Sequence, residues 1–237
     1  MPAPKTFRIG IICGSQRTPR VGDQVADFVA ETIQAHIASA APSASGPSFA
    51  FDRIDVAALG LPLFDEPGIP SKIEDRPAGY AHEHTRRWSA RVAALDGFVF
   101  VTPQYNWGIP AGLKNAIDYL FHEWRGKPAV VVAYGGHGGD KCSAQMRTVL
   151  AGGVDMQVGD RMVVNLSFPS REVLYKAAKG EDIGVKGPGA VTWRAERKAV
   201  VAAWEQMAGL LASEGLGKVV NQVSGKFRQI KLALEKA

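Results

Sequence analysis

Three stretches of this chain hold side chains whose types and spacing could do chemistry. The first is Gly14-Ser-Gln-Arg-Thr-Pro-Arg20, a polar turn. Ser15 offers a hydroxyl there, and Arg17 and Arg20 offer forked donors that suit a phosphate. The second is Thr102-Pro-Gln-Tyr-Asn-Trp-Gly108. Pro103 stiffens this loop, Tyr105 and Trp107 present flat apolar surfaces, and Gln104 and Asn106 present amide donors and acceptors. That set suits a flat heteroaromatic ligand with hydrogen-bonding edges. The alternative is a loop whose aromatics pack down on the core, as aromatics usually do. The third is Tyr134-Gly-Gly-His-Gly-Gly139, whose four glycines let a backbone pass close to a ligand and take positive φ. His137 either meets a ligand edge or lies in an open loop.

What these stretches lack is also informative. The first turn is not GxGxxG, which argues against a dinucleotide in a Rossmann site. No GKS or GKT follows it, and Asp140 stands where a Walker loop after the third stretch would need glycine. A hydroxyl- and arginine-rich turn suits a terminal phosphate monoester; the alternative is an ordinary surface turn with solvated arginines. His82-Glu-His84 has no third ligand at helical spacing and reads as a solvated helix start, so no metal site is expected. Nothing near Cys142 marks an activated thiol, and it reads as a plain helix residue.

The elements that must position these stretches follow from hydrophobic period. Arg8–Cys13, Phe49–Val56, Phe98–Val101, Pro128–Ala133 and Arg161–Leu166 are short apolar runs. The middle runs are apolar throughout, as in strands of a parallel sheet buried on both faces. Between them lie helical patterns. Val21, Val25, Phe28, Val29, Thr32 and His36 mark one face of a helix over about 21–38. Trp88, Val92 and Leu95 mark a second. Pro110 opens a third, with Leu113, Ala116, Ile117, Leu120 and Phe121 at helical spacing. A fourth covers about 140–150, and a last one about 192–211, with Trp193, Val200, Trp204, Met207 and Leu211 on one side. Leu59–Gly79 carries four prolines and reads as an irregular connection. Residues 167–191 read as a long loop that covers a ligand or meets a neighbour.

With 237 residues and no internal repeat or linker, the chain reads as a single domain over 1–237. A basic tail over 215–237 includes Lys218, Lys226, Arg228, Lys231 and Lys236 against one Glu235. It reads as a solvated terminal helix or as a contact with an acidic partner. The net charge of +5 favours anionic small molecules. No interleaved basic and aromatic stripe points to nucleic acid. No apolar run is long enough to span a bilayer, and the first residues lack a signal-peptide core. Two isolated cysteines form no disulfide framework, so a cytoplasmic setting is expected.

Five strands alternating with helices imply an α/β fold with a doubly wound parallel sheet. In the order 2-1-3-4-5, strands one, three and four are adjacent and the switch point lies between one and three. The phosphate turn, the aromatic loop and the glycine loop then converge. A phosphate at one end and a flat ring between the other two loops describes FMN.

Gly14-Ser-Gln-Arg17, Thr102-Pro-Gln-Tyr-Asn106, Pro110, Leu113-Lys-Asn-Ala-Ile-Asp118 and Tyr134-Gly-Gly-His-Gly-Gly139 resemble the NAD(P)H-dependent FMN reductase and quinone reductase family, which has a flavodoxin-like fold. The resemblance runs over about 8–166 and the closing helix. It implies that Ser15, Arg17 and Arg20 hold the FMN phosphate, with Val21 and Gly22 standing where many members have the end of a Ser-x-Asn. It implies that Pro103, Gln104, Tyr105 and Asn106 line the ribityl chain and ring, and that Gly135 and Gly136 approach the ring's polar edge; His137 beside them is counted among the candidate cofactor-binding residues. Many members have Glu where Gln104 stands. The implied activity is electron transfer from NADPH or NADH through FMN to a quinone or similar small-molecule acceptor. One bound flavin with an open face holds a pyridine nucleotide or a quinone but not both at once, so a ping-pong mechanism is expected. No side chain is assigned a catalytic acid–base role, because the flavin carries the electrons. An FMN-bound redox-responsive carrier with little turnover is the alternative. The resemblance also implies a homodimer or homotetramer, with the helix from Pro110 to Phe121 at the interface; its apolar residues, with Ile109, Tyr119 and Trp124, extend beyond one stripe.

Overall fold

The computed structural model describes residues 5–40, 46–187 and 190–213. The expected basic tail over 215–237 lies outside the described residues. The elements run β1 (Thr6–Cys13), α1 (Gly22–Ser39), β2 (Ser48–Asp55), α2 (Glu83–Ala93), β3 (Gly97–Pro103), α3 (Ala111–Asp118), β4 (Ala129–Gly135), α4 (Asp140–Arg147), β5 (Val163–Ser167), α5 (Arg171–Lys179) and α6 (Arg197–Ala212). The five strands are all parallel, in the order β2-β1-β3-β4-β5, the flavodoxin-like order the pattern predicts.

Alternation along the strands splits the core into two layers. Val99, Val101, Val130 and Val132 face one side, where they pack with Val25, Phe28 and Val29 of α1 and Val200, Trp204 and Met207 of α6. Phe98, Phe100, Val131 and Ala133 face the other, against Trp88, Val92, Leu113, Ile117, Cys142 and Met146 from α2, α3 and α4. Every residue of β3 is buried, as a central strand covered on both faces requires. Gly10 on β1 gives room for Phe98: a Cβ there would lie 2.9 Å from Leu95 and 3.0 Å from the Phe98 ring.

Two expectations are corrected. The stretch 167–191 is not simply a loop. Ser170 accepts from the Val173 N–H and caps α5, and Gly180 ends it in the left-handed region. The apolar surplus around α3 is not a free surface. Leu120, Tyr119 and Trp124 are fully buried within this one chain. The Trp124 indole donates to the Ile117 carbonyl at 3.1 Å and its ring meets Trp88 and Phe98 edge-on. The Tyr119 hydroxyl donates to Asp65 Oδ1 at 2.8 Å, and burial with that bond pushes its pKa up to about 12. The extra aromatics fill the second core layer.

Candidate functional site

Three parallel strands end side by side at one edge of the sheet: β1 in Cys13, β3 in Pro103, β4 in Gly135. The turn after β1 is held open there. Gly14 N–H donates to the Val101 carbonyl at 2.8 Å, which carries the chain across to β3. Gly14 has no space for a side chain, since a Cβ would lie 2.7 Å from Leu113. Among the described residues, the N–H groups of Gln16, Arg17 and Thr18 make no hydrogen bond to a backbone carbonyl. They stand beside the amino end of α1, whose first N–H groups have no partner within the helix. This is an anion-binding arrangement made by backbone.

Ser15, Arg17, Arg20 and Val21 from this turn, Pro103, Gln104 and Tyr105 from the aromatic loop, and Gly135 and Gly136 from the end of β4 line one cavity of about 250 Å³. The topology therefore brings together nine of the twelve residues expected to bind the cofactor. The other three sit apart from this lining. Gly22 lies under the turn, where a Cβ would meet Ser15 at 2.8 Å and the Cys13 sulfur at 3.0 Å. Asn106 faces a separate groove between α3 and α4, shared with Leu63, Phe64 and Ile109. His137 is exposed, and its ring sits 5.6 Å from that of Trp107.

Within the cavity the side chains divide by task. Ser15 is buried and its Oγ is 2.7 Å from the Tyr105 hydroxyl, which joins the turn to the aromatic loop. The Arg17 guanidinium lies over the Tyr105 ring at 3.7 Å, a cation–π contact. Its donors make no ion pair among the described residues, so they remain available to an anion. Arg20 is different. Nη1 donates to the Ser15 carbonyl at 2.6 Å and to Asp55 Oδ1 at 3.0 Å; Nη2 donates to Asp55 Oδ2 at 2.6 Å and to Asp23 Oδ1 at 3.3 Å; Nε donates to Asp23 Oδ2 at 3.3 Å. All five N–H groups are used inside the protein. Arg20 is thus held as a strut that shapes the turn, with its donors already engaged by protein acceptors where phosphate contact is expected. The Asp55 bond raises the Arg20 pKa further above its already high value. Burial alone would raise the Asp55 carboxyl, but the bonds from Arg20 and from the Ala57 N–H outweigh it and hold it below its ordinary value.

Gln104 ties the aromatic loop to the glycine loop. Its Oε1 accepts from the N–H groups of Lys141 and Cys142 at 3.0 and 3.1 Å, so it caps α4 from a distance. Gly138 and Gly139 precede that helix with φ of 86° and 84°. The Cys142 thiol is buried, and burial pushes its pKa up to about 11, consistent with an inert core cysteine. His82 and His84 bond to Asp65 rather than forming a ligand set; no group of three candidate metal ligands occurs among the described residues.

Phe168, Leu174 and Ala177 also line the cavity and were missed by sequence reasoning. The signal was present: Ser170, then a nine-residue helical run, then Gly180. Tyr134 was read only as the start of the glycine loop. It lies at the cavity floor, where burial raises its hydroxyl well above the ordinary value.

The donor set fits FMN better than a dinucleotide. Unpaired N–H groups, a hydroxyl and a free guanidinium crowd one end, and a tyrosine, an amide and two glycines border the other.

Comparison with known proteins agrees. The family described as NADPH-dependent FMN reductase matches residues 7–169. The chain is 48% identical over 148 residues to the NAD(P)H-dependent FMN reductase LOT6 of Saccharomyces cerevisiae, covering 62% of this chain and 74% of that protein. It is 32% identical over 119 residues to a quinone reductase of Escherichia coli, covering 44% of this chain and 57% of that one. In fold it is similar to FerB, a flavoenzyme NAD(P)H:(acceptor) oxidoreductase from Paracoccus denitrificans. The TM-score is 0.56 at 16% identity, over 87% of this chain and 98% of that chain.

Proposed function

The chain belongs to the NADPH-dependent FMN reductase family, and from that premise we propose that it passes electrons from NAD(P)H to a quinone or similar flat acceptor in two separate half-reactions. The observation that carries the reading is the single cavity at the switch point, with an anion-binding turn at one end and an aromatic loop beside glycines at the other. When bound there, FMN supplies the two-electron chemistry that accepts a hydride from the nicotinamide and reduces the acceptor.

The chain's own residues bind and orient. Arg17 and the turn's N–H groups meet the phosphate. Arg20, locked by Asp55 and Asp23, keeps the Ser15 carbonyl, and with it the turn, in the receiving shape. Gln104 holds the aromatic loop and the amino end of α4 at a fixed distance. Trp107 and His137 stand as tilted rings outside the cavity, where a planar nicotinamide or quinone can stack. The overall change is balanced as NAD(P)H, a proton and a quinone giving NAD(P)⁺ and a hydroquinone.

Donor and acceptor are both planar and compete for one open face. Initial rates measured against both substrates should therefore give parallel reciprocal lines. Intersecting lines would show that both bind together and would remove the two-step reading.

A homodimer or homotetramer accompanies this reading. Leu63 is 86% exposed and Phe64 is 37% exposed beside Ile109 and Tyr105. Asn115 clamps the loop that carries them, donating to the Pro62 carbonyl at 2.7 Å and accepting from the Phe64 N–H at 2.9 Å. Large apolar side chains held outward in this way suit a subunit contact. No helix among the described residues is long and apolar enough to cross a membrane.

A further inference from the structure

Residues 170–187 lie beyond the 7–169 stretch that the family shares, yet they build part of the cavity. Leu174 and Ala177 of α5 face into it. Leu174 lies against the glycine loop, since a Cβ at Gly136 would meet both its methyls at 3.5 Å. The carboxyl end of α5 abuts the phosphate turn. Gly180 has φ of 73°, and a Cβ there would lie 2.9 Å from Pro19 and 3.3 Å from the Arg20 backbone. Only glycine permits that approach.

The segment is fastened at this position from α1. Gln24 Nε2 donates to the Glu181 carbonyl at 2.9 Å, and the Ile183 N–H donates to Gln24 Oε1 at 3.1 Å. At the far ends, the Trp193 indole donates to the Ser167 carbonyl at 2.6 Å and Thr192 Oγ1 to the Ile183 carbonyl at 2.6 Å. α5 itself has little core. Ala177 is its one buried residue, and Leu174, which faces the cavity, is 38% exposed. A helix of nine residues is not stable alone. Ala177, with Val173 partly buried beside it, anchors α5 on the core layer of α1 and α6, and the Gln24 bonds and the Gly180 contact fix the segment that follows.

We propose that α5, positioned by Gln24 and Gly180, is an added wall of the cofactor cavity that keeps FMN resident through many turnovers. This rests on the FMN reading above and deepens it. The flavin stays, and only the nicotinamide and the acceptor exchange. A protein that released its flavin as product would need this side open.

The test uses full-length protein loaded with FMN and diluted into an excess of apoflavodoxin, which traps released FMN. Gln24→Ala removes two hydrogen bonds and should raise the dissociation rate about tenfold. Leu174→Ala removes a half-exposed side chain that the fold does not need, and should raise it about threefold. FMN should also slow tryptic cleavage of the wild-type protein after Arg171, Lys176 and Lys179, a readout independent of turnover. FMN that binds tightly, with release unchanged in both variants or with cleavage at α5 unaffected, overturns the retaining wall and leaves the FMN reading intact. A wild-type protein that binds no FMN overturns both.

Discussion

Replacing Asp55 with alanine tests whether Arg20 is a strut. The substitution removes two hydrogen bonds from the Arg20 guanidinium, at 2.6 and 3.0 Å, and one from the Ala57 N–H at 3.0 Å. A hydrogen bond to a charged group contributes about 1.5–3 kcal/mol when well shielded. Here the two side chains are 18% and 28% exposed, so solvent screening reduces the gain. Arg20 also keeps Asp23 and the Ser15 carbonyl. The net loss of stability should be about 1–3 kcal/mol, read as a lower urea midpoint at pH 7. Arg20→Ala should cost a similar amount, and the double variant less than the sum, because the two act as one unit. The gap between wild type and Asp55→Ala also depends on pH. The folded carboxyl is held below its ordinary value, so its contribution is complete above the unfolded value of about 3.9. It disappears as pH falls through the folded value. The gap should hold from pH 7 to pH 5 and close in stronger acid. A coupling energy near zero, or a gap that persists unchanged to pH 2, would refute the strut.

Other outcomes bear on the site itself. Arg17→Ala should weaken FMN binding about ten- to hundredfold through loss of a charge-assisted contact, with an unchanged urea midpoint; equal binding by flavin fluorescence would move the phosphate elsewhere. Flavin released from the denatured, reconstituted protein should chromatograph as FMN, and recovery of FAD would contradict the monoester turn. Light scattering at micromolar concentration should give a multiple of 25.4 kDa, and Leu63→Ser should shift that mass toward the monomer; a wild-type protein of monomer mass would remove the oligomer.

The strands and the edge at which they end could be read because the sheet is buried on both faces. A fully apolar run such as Phe98–Val101 has few alternatives, and topology then places three loops together without knowledge of any contact. Side-chain pairing across the sequence was less accessible. Arg20 and Asp55 are 35 residues apart, and a guanidinium beside a serine reads naturally as a phosphate ligand. The pairing was nonetheless implied by the strand order. β2 lies next to β1 with Cys13 opposite Asp55, so the end of β2 must reach the turn after β1. Tyr119 and Trp124 were misplaced for a related reason: helical spacing finds the buried stripe, but not the neighbours that bury residues beyond the helix end. α5 was lost among the glycines and prolines around it, although its cap and stop were both present.

Two readings of the aromatic loop stood open in the sequence, packing or ligand, and its backbone sets Tyr105 and Trp107 in different surroundings. Tyr105 and Gly108 exchange hydrogen bonds at 3.1 and 2.9 Å and close a tight turn. The two residues between them, Asn106 and Trp107, have φ of 47° and 64°. Asparagine tolerates that region; tryptophan does so only at a cost of roughly 1–3 kcal/mol. The loop is held there by Gln145, whose amide donates to the Trp107 carbonyl at 3.2 Å. Packing does not explain the cost, because Trp107 is 55% exposed while the four other tryptophans are buried. The turn instead directs Tyr105 inward to the cavity and Trp107 outward to His137. One turn therefore faces the cavity with Tyr105 and holds Trp107 out beside His137.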